Sequence, residues 1–306
     1  MPMKKIMVTG ASGFVGRHLV DMLLGDGATV ITLGSTQSLE PETMSSKNNR
    51  HFSIDLMDRL ALEKINFLDF DYVVHLAGLA AVGPSFDNPM QYINTNMGIE
   101  INLFEEALKQ RAFPKFLIIS SGSVYDPGSS MPLKEDSPIL PNSPYSLSKI
   151  GQEQVAKYYS TRGFECIIAR PFNHIGPGQG PGFIVSDFVQ QIKNPRETSI
   201  RVGNLEPKRD YTDVRDIVRA YSMLLESGKS GETYNVCSGR SVSGRSILND
   251  LVEYSSTNKK ILIDNSKFRP TDAMDIYGNN QKLRQHTGWK PEISLEKTLK
   301  DVLSSI

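Results

Sequence analysis

The sequence predicts an α/β fold, a doubly wound parallel sheet carrying a smaller, interleaved C-terminal lobe. Three observations lead there. Apolar strand-like runs alternate with helix-like segments through the first half of the chain, as a series of strand–helix–strand crossovers requires. The first crossover is punctuated by closely spaced glycines. Beyond Pro171 the alternation gives way to Gly/Pro-rich stretches such as Gly176–Gly182 and to mixed elements.

Lys4–Thr9 is a short apolar run suited to a strand buried on both faces. Phe14–Leu24 sets Phe14, Val15, Leu19, Met22 and Leu23 on one helix face. Ala28–Leu33 follows the Gly25–Gly27 turn and closes a unit of about 30 residues. Further along, Asp71–Leu76 reads as a strand, Asn94–Lys109 as a helix and Lys115–Ser120 as a strand. A helix over Pro144–Ser160 and a strand over Glu165–Ala169 complete the alternation. Ser143 suits that helix's N-cap, and Pro144 its first position. Thr233–Cys237 reads as a strand returning to the main sheet, so the lobes interleave. The expected division is 1–172 plus about 212–238 for the sheet domain, and about 173–211 plus 239–306 for the lobe.

The 306 residues suffice for a large core. Lys+Arg 34 balances Asp+Glu 34, so no polyanion such as nucleic acid is expected as a partner. No apolar stretch is long enough to span a membrane, and Met1–Lys5 leads directly into the first strand. A cytoplasmic location is expected. Cys166 and Cys237 sit in apolar runs and read as buried thiols, with neither a disulfide nor a metal site.

Gly10, Gly13 and Gly16 carry the first chemistry. Gly10 permits a tight turn, Gly13 lets backbone approach a dinucleotide pyrophosphate, and Gly16 lets helix and strand pack closely. The helix N-terminus, with Ser12, Phe14 and Val15 around it, offers N–H groups to the anion. This is the arrangement of a Rossmann domain. The second strand ends Leu33-Gly34-Ser35-Thr36 with neither an acid nor an arginine, so NADPH and NADH both stay open, with Ser35 at the ribose. Downstream, Tyr145 and Lys149 lie four apart on one helix face. An ammonium beside a phenol favours its ionised form, and a tyrosine so tuned passes a proton to a carbonyl oxygen while hydride arrives at carbon. Ser120–Tyr125 lies at the C-terminal end of a strand, where such sheets bind ligands.

Thr9-Gly10-Ala11-Ser12-Gly13-Phe14-Val15-Gly16 resembles the Thr-Gly-x-x-Gly-Phe-x-Gly motif of extended short-chain dehydrogenases/reductases. The resemblance implies that Ser121 polarises the carbonyl, with Ser120 and Ser123 as lesser candidates. It also implies that Asp55 and Leu56 bracket the adenine. His75-Leu76-Ala77-Gly78, Asn96 and Pro171 would line the cofactor cleft beside Tyr145 and Lys149. A homodimer through the helices Asn94–Lys109 and Pro144–Ser160 is expected on the same ground.

The second half resembles the GDP-4-keto-6-deoxy-D-mannose reductases more specifically. The match runs through Arg170–Gln179, Val202–Asp216, Tyr234–Gly239, Arg269–Asp272 and Thr287–Pro291. It implies a GDP-sugar in the lobe, with Arg209 and Arg269 on its pyrophosphate. Asn173 would contact the sugar-phosphate, Asn204 the nucleotide, and Asp272 a hydroxyl. Ser85, Ser121, Ser123, His174 and Val202 complete the expected substrate contacts. The implied reaction is NAD(P)H-dependent reduction to GDP-D-rhamnose for polysaccharide synthesis. GDP-6-deoxy-D-talose as product and a GDP-6-deoxy-4-keto-heptose as substrate remain alternatives, as do a 4,6-dehydratase or a 4-epimerase. Ser123 stands where the related dehydratases carry a glutamate, which disfavours dehydration because serine is a poor base. Asp126 stands where a glycine usually follows Val-Tyr.

Overall fold

The computed structural model describes residues 4–35, 49–268 and 273–305. The first half contains β1 (Lys5–Thr9), α1 (Phe14–Gly25), β2 (Thr29–Gly34), β3 (Asn49–Ser53), α2 (Arg59–Leu62), β4 (Tyr72–His75), α3 (Val82–Ser85), α4 (Pro89–Lys109), β5 (Lys115–Ile119), α5 (Pro144–Ser160) and β6 (Cys166–Pro171). The second contains β7 (Asn173–Ile175), α6 (Ile184–Lys193), β8 (Ser199–Val202), β9 (Lys208–Asp213), α7 (Val214–Ser227), β10 (Thr233–Val236), β11 (Ser241–Ser243), α8 (Gly244–Ser255), β12 (Lys260–Ile263), β13 (Asp275–Ile276), α9 (Gln281–Thr287) and α10 (Leu295–Ser304).

Seven strands form one sheet in the order β10-β6-β5-β4-β1-β2-β3, and every neighbouring pair is parallel. Strand order reverses between β1 and β4, the switch point where ligands enter such sheets. β1, β5 and β6 are buried almost throughout, because helices cover both faces. Leu19 and Leu23 of α1 share one core with Ile217 and Leu224 of α7. Leu103 and Phe104 of α4 share the other with Ala156 and Tyr159 of α5, where the Phe104 and Tyr159 rings stack at 4.5 Å.

Most elements fall where the sequence places them. α5 begins as expected: the Ser143 hydroxyl accepts the Ser146 N–H, and Ser146 returns the bond to the Ser143 N–H. α4 starts at Pro89 rather than Asn94, because Pro89 is preorganised for a first turn that the apolar pattern does not mark. β6 runs on through Pro171. β10 does return to the main sheet, beside β6.

Beyond β6, and apart from α7 and β10, the chain has a separate core, with Val185, Phe188, Ile200, Ile247, Leu251 and Leu299 among its members. β7, β9, β11 and β13 form a second sheet, and β8 pairs with β12. Leu283 and Trp289 depart from this division. Both are fully buried in the core of the large sheet, where the Trp289 indole donates to the Asp216 carbonyl at 2.9 Å. Among the described residues, no helix is long and apolar enough to cross a membrane.

Candidate active site

A cleft of about 1100 Å³ opens between the C-terminal strand ends of the large sheet and the lobe that follows β6. Its wall begins with the glycine turn after β1. Gly10 has φ +72°, and a Cβ there would lie 2.7 Å from the Ala77 nitrogen. A Cβ on Gly16 would lie 2.6 Å from Ala11 Cα, so only glycine lets α1 pack this tightly. Gly13 caps α1 without any side-chain hydrogen bond, and the first turn has no acid. The leading N–H groups of α1 therefore keep their capacity for an anion. Ser12, Phe14 and Val15 line the same wall, as do Ser35, Asp55 and Leu56 beyond it. Leu76, Ala77, Gly78 and Pro171 line the part nearer the catalytic groups. This chain's turn, anion cradle and cleft fit a dinucleotide.

Ser121, Tyr145 and Lys149 meet in the same cleft. Ser121 accepts from the Ser123 N–H at 3.1 Å and from the Ser123 hydroxyl at 2.9 Å. With both acceptor positions engaged, its own O–H is left to donate, and it lies near enough to the Tyr145 phenol to pull its pKa down. Lys149 donates to the Ile119 carbonyl at 2.8 Å and to Gln152 Oε1 at 2.9 Å.

One expectation changes here. Burial pushes the Tyr145 phenol up, the Ser121 hydroxyl pulls it down, and Tyr92 adds to the rise. The Lys149 ammonium, held by Ile119 and Gln152, lies 6.0 Å from the Tyr145 ring centroid. Lys149 is itself lowered to about 8 by burial, against the opposing pull of Glu100 and Glu153.

Ser120 is spoken for, since its hydroxyl donates to Glu153 Oε1 at 2.6 Å. Glu153 forms a buried, two-pronged ion pair with Arg170 at 2.7 and 2.6 Å. The Arg170 guanidinium lies 4.7 Å from the centroid of the Tyr125 ring, and Tyr125 donates to Asn235 Oδ1 at 2.6 Å. Asp126 accepts the Gly128 N–H at 2.9 Å within its own turn.

Of the expected substrate contacts, Ser123, Asn173, His174, Val202, Asn204 and Arg209 all line the cleft. His174 Nδ1 is 3.0 Å from the Phe172 carbonyl, and its ring stacks with Phe14. Asn204 uses its carbonyl oxygen on the Glu206 N–H, 3.1 Å away. Arg209 Nη1 donates to the Lys208 and Ala273 carbonyls.

Three expected positions lie behind the wall, the first being His75, which is buried between Thr9 and Gln152. Asn96 is fully buried, holding both the N–H and carbonyl of Leu79 and the Ser148 hydroxyl; it shapes the Gly78–Leu79 segment from outside the cleft. Ser85 is fully buried too, with its hydroxyl turned back onto the Val82 carbonyl at 2.6 Å. Arg269 and Asp272 lie outside the described residues.

Asp187, Gln191 and Tyr221 also line the cleft, and sequence reasoning did not single them out. Asp187 and Gln191 share a face of α6, but nothing in the local sequence turns that face toward the cleft. Tyr221 looks like any core aromatic, yet its buried hydroxyl has no hydrogen-bond partner.

Comparison with known proteins gives a consistent result. A family model described as GDP-mannose 4,6 dehydratase matches residues 7–302. The GDP-6-deoxy-D-mannose reductase of Pseudomonas aeruginosa is 33% identical over 312 residues, covering 98% of this chain and 96% of its own. The structure of RMD from Pseudomonas aeruginosa complexed with NADPH has a TM-score of 0.87 at 31% identity, covering 99% of this chain and 98% of that one. The UDP-glucose 4-epimerase of Thermotoga maritima, solved with UDP-glucose, has a TM-score of 0.88 at 27% identity, covering 98% of each chain.

Proposed function

This chain belongs to the GDP-mannose 4,6-dehydratase family of extended short-chain dehydrogenases/reductases and is an NAD(P)-dependent enzyme, and from that premise we propose that it reduces GDP-4-keto-6-deoxy-D-mannose. The product is GDP-D-rhamnose, a donor for polysaccharide assembly. The observation that carries this reading is the Ser121–Tyr145 pair, with Ser123 and no carboxylate hydrogen-bonded beside it. That set suits proton delivery to a ketone oxygen and lacks the base that removal of the C5 proton demands. The reductase from Pseudomonas aeruginosa supports the same choice.

Gly10–Gly16 would hold NAD(P)H, with Asp55 and Leu56 at its adenine end, and the bound cofactor would supply the hydride that C4 needs. Tyr145 gives its phenolic proton to the oxygen that was the C4 carbonyl. Ser121 donates to that oxygen as charge builds on it. Lys149, on the same helix, stabilises the phenolate left behind. In the lobe, the Arg209 guanidinium takes the diphosphate. The Asp187 carboxylate, a pure acceptor, meets the paired N–H donors of guanine. These assignments rest on residue chemistry and position in the cleft. The division of the chain into 1–172 plus about 212–238, and about 173–211 plus 239–306, belongs to the same reading, with Leu283 and Trp289 docking the second part onto the first. So does a homodimer through α4 and α5, for which a monomer mass in solution scattering would be contrary evidence.

A 4-epimerase is the second reading, supported by the likeness to the Thermotoga maritima enzyme. Stereospecifically deuterated NADPH separates the two. A reductase leaves one deuterium at C4 of a GDP-6-deoxyhexose. An epimerase leaves no label and an unchanged cofactor. NMR of a labelled product also separates D-rhamno from 6-deoxy-D-talo configuration, and the same assay on the 4-keto-heptose analogue tests the longer sugar.

A further inference from the structure

Lys149 is backed by a polar set that spans three elements. Thr9 Oγ1, at the end of β1, accepts the Ala77 N–H at 3.1 Å and lies 2.9 Å from His75 Nδ1. His75 Nε2 is 3.2 Å from Gln152 Nε2, and Gln152 Oε1 is 2.9 Å from Lys149 Nζ. An ammonium only donates, so the amide oxygen must face Lys149 and the amide NH2 must face His75. His75 Nε2 therefore accepts, and its proton sits on Nδ1, donated to Thr9. The imidazole is neutral, as its burial and the nearby Lys149 charge also require.

Glu100 reaches this set from α4. Its side chain is fully buried, and neither carboxyl oxygen has a hydrogen-bond partner. Burial pushes its carboxyl well above the usual carboxylate range, against the opposing pull of the Lys149 charge and of the Gln152 amide that faces it without closing a well-formed bond. Burying an unpaired carboxyl is costly, and a leucine or methionine would pack the helix face without that cost. The other charged or titratable groups around it are Glu153 from α5, paired with Arg170 of β6, and Cys166 from β6, while His75 from β4 reaches the set through Gln152.

We propose that Gln152 and Glu100 are positioning residues for Lys149, with Gln152, keyed by His75, fixing the ammonium in place and Glu100 supplying the opposite charge that keeps it protonated. The charges of Glu100 and Lys149 act on each other, so the two groups titrate as a unit. The inference rests on Lys149 serving the reduction proposed above.

The test is competitive labelling of Lys149 with trace acetic anhydride across a pH series, quantified by peptide mass spectrometry and needing no turnover. Glu100→Gln is expected to move the labelling midpoint down by about one pH unit. Gln152→Glu adds a carboxylate beside the amine and is expected to move it up by about as much. NADPH oxidation in the same samples should show the alkaline limb moving with the label. A midpoint unchanged by Glu100→Gln overturns the proposal; if that variant does not fold, an unchanged midpoint in Gln152→Glu does so. Shifted labelling without turnover in any sample contradicts the reductase reading and leaves the lysine device standing.

Discussion

Lys149 Nζ donates a 2.8 Å hydrogen bond to the carbonyl of Ile119, the last residue of β5. That bond ties the helix carrying Tyr145 to the strand that delivers Ser121. Tyr145 lies one turn before the lysine, and Ser121 lies two residues past Ile119. The proton donor and the carbonyl-polarising hydroxyl are thus set against each other by one link across 30 residues of chain. A lysine placed this way organises the site as well as supplying charge.

Tyr145→Phe removes the transferable proton and leaves the ring's packing in place. Turnover is expected to fall by roughly 10²–10⁴-fold, with little change in nucleotide-sugar binding by calorimetry. Near-normal turnover would remove Tyr145 from the chemistry.

Activity should fall at high pH. Burial holds Lys149 at about 8, so its positive charge is present below that pH and is lost as pH rises through it. A plot of log kcat/KM against pH is expected to bend downward near pH 8. A profile flat to pH 10 would show that the lysine charge does not matter.

His75 makes stability depend on acid. Its folded-state value is lowered from 6.5 to about 3, chiefly by burial. Its contribution is therefore complete above about pH 6.5 and is lost as pH falls toward 3, at about 1.4 kcal/mol per unit inside that window. Urea unfolding at pH 7 and pH 5 should show a drop that His75→Asn lessens. An equal drop in both proteins would contradict a neutral buried imidazole.

Gly10→Ala should abolish tight cofactor binding. The substitution strains a backbone at φ +72° and drives a Cβ to 2.7 Å from the Ala77 nitrogen, which displaces the wall behind the cofactor. NADPH fluorescence titration is expected to show at least a roughly tenfold weaker Kd, equivalent to about 1.4 kcal/mol. An unchanged Kd would mean that the turn does not hold the dinucleotide.

The parts legible in the sequence are those written locally. The β1–α1–β2 unit is marked by glycines at fixed spacing, and α5 by Ser143 and Pro144, so both appear as expected. Ser121, Tyr145 and Lys149 come together because Ser121 follows the end of β5 and the other two lie on the first two turns of α5. What sequence could not supply depends on contacts made across long distances in the chain. Glu100 reads as one more charged residue on a helix until α4 turns it inward beside Lys149. Asp187 and Gln191 meet the cleft only because α6 packs beneath it. Leu283 and Trp289 read as lobe residues, yet their large apolar surfaces find the main core. Asn96 has the amide expected of a ligand contact, and the backbone of Leu79 takes it instead.

The most direct measurement is absorbance at 340 nm with purified protein, NADPH or NADH, and freshly prepared GDP-4-keto-6-deoxy-D-mannose. Stoichiometric loss of the signal, with one GDP-6-deoxyhexose formed per cofactor oxidised, is the expected result. A signal that holds steady with both cofactors while the sugar is converted would contradict the reductase and point to an enzyme that regenerates its own cofactor.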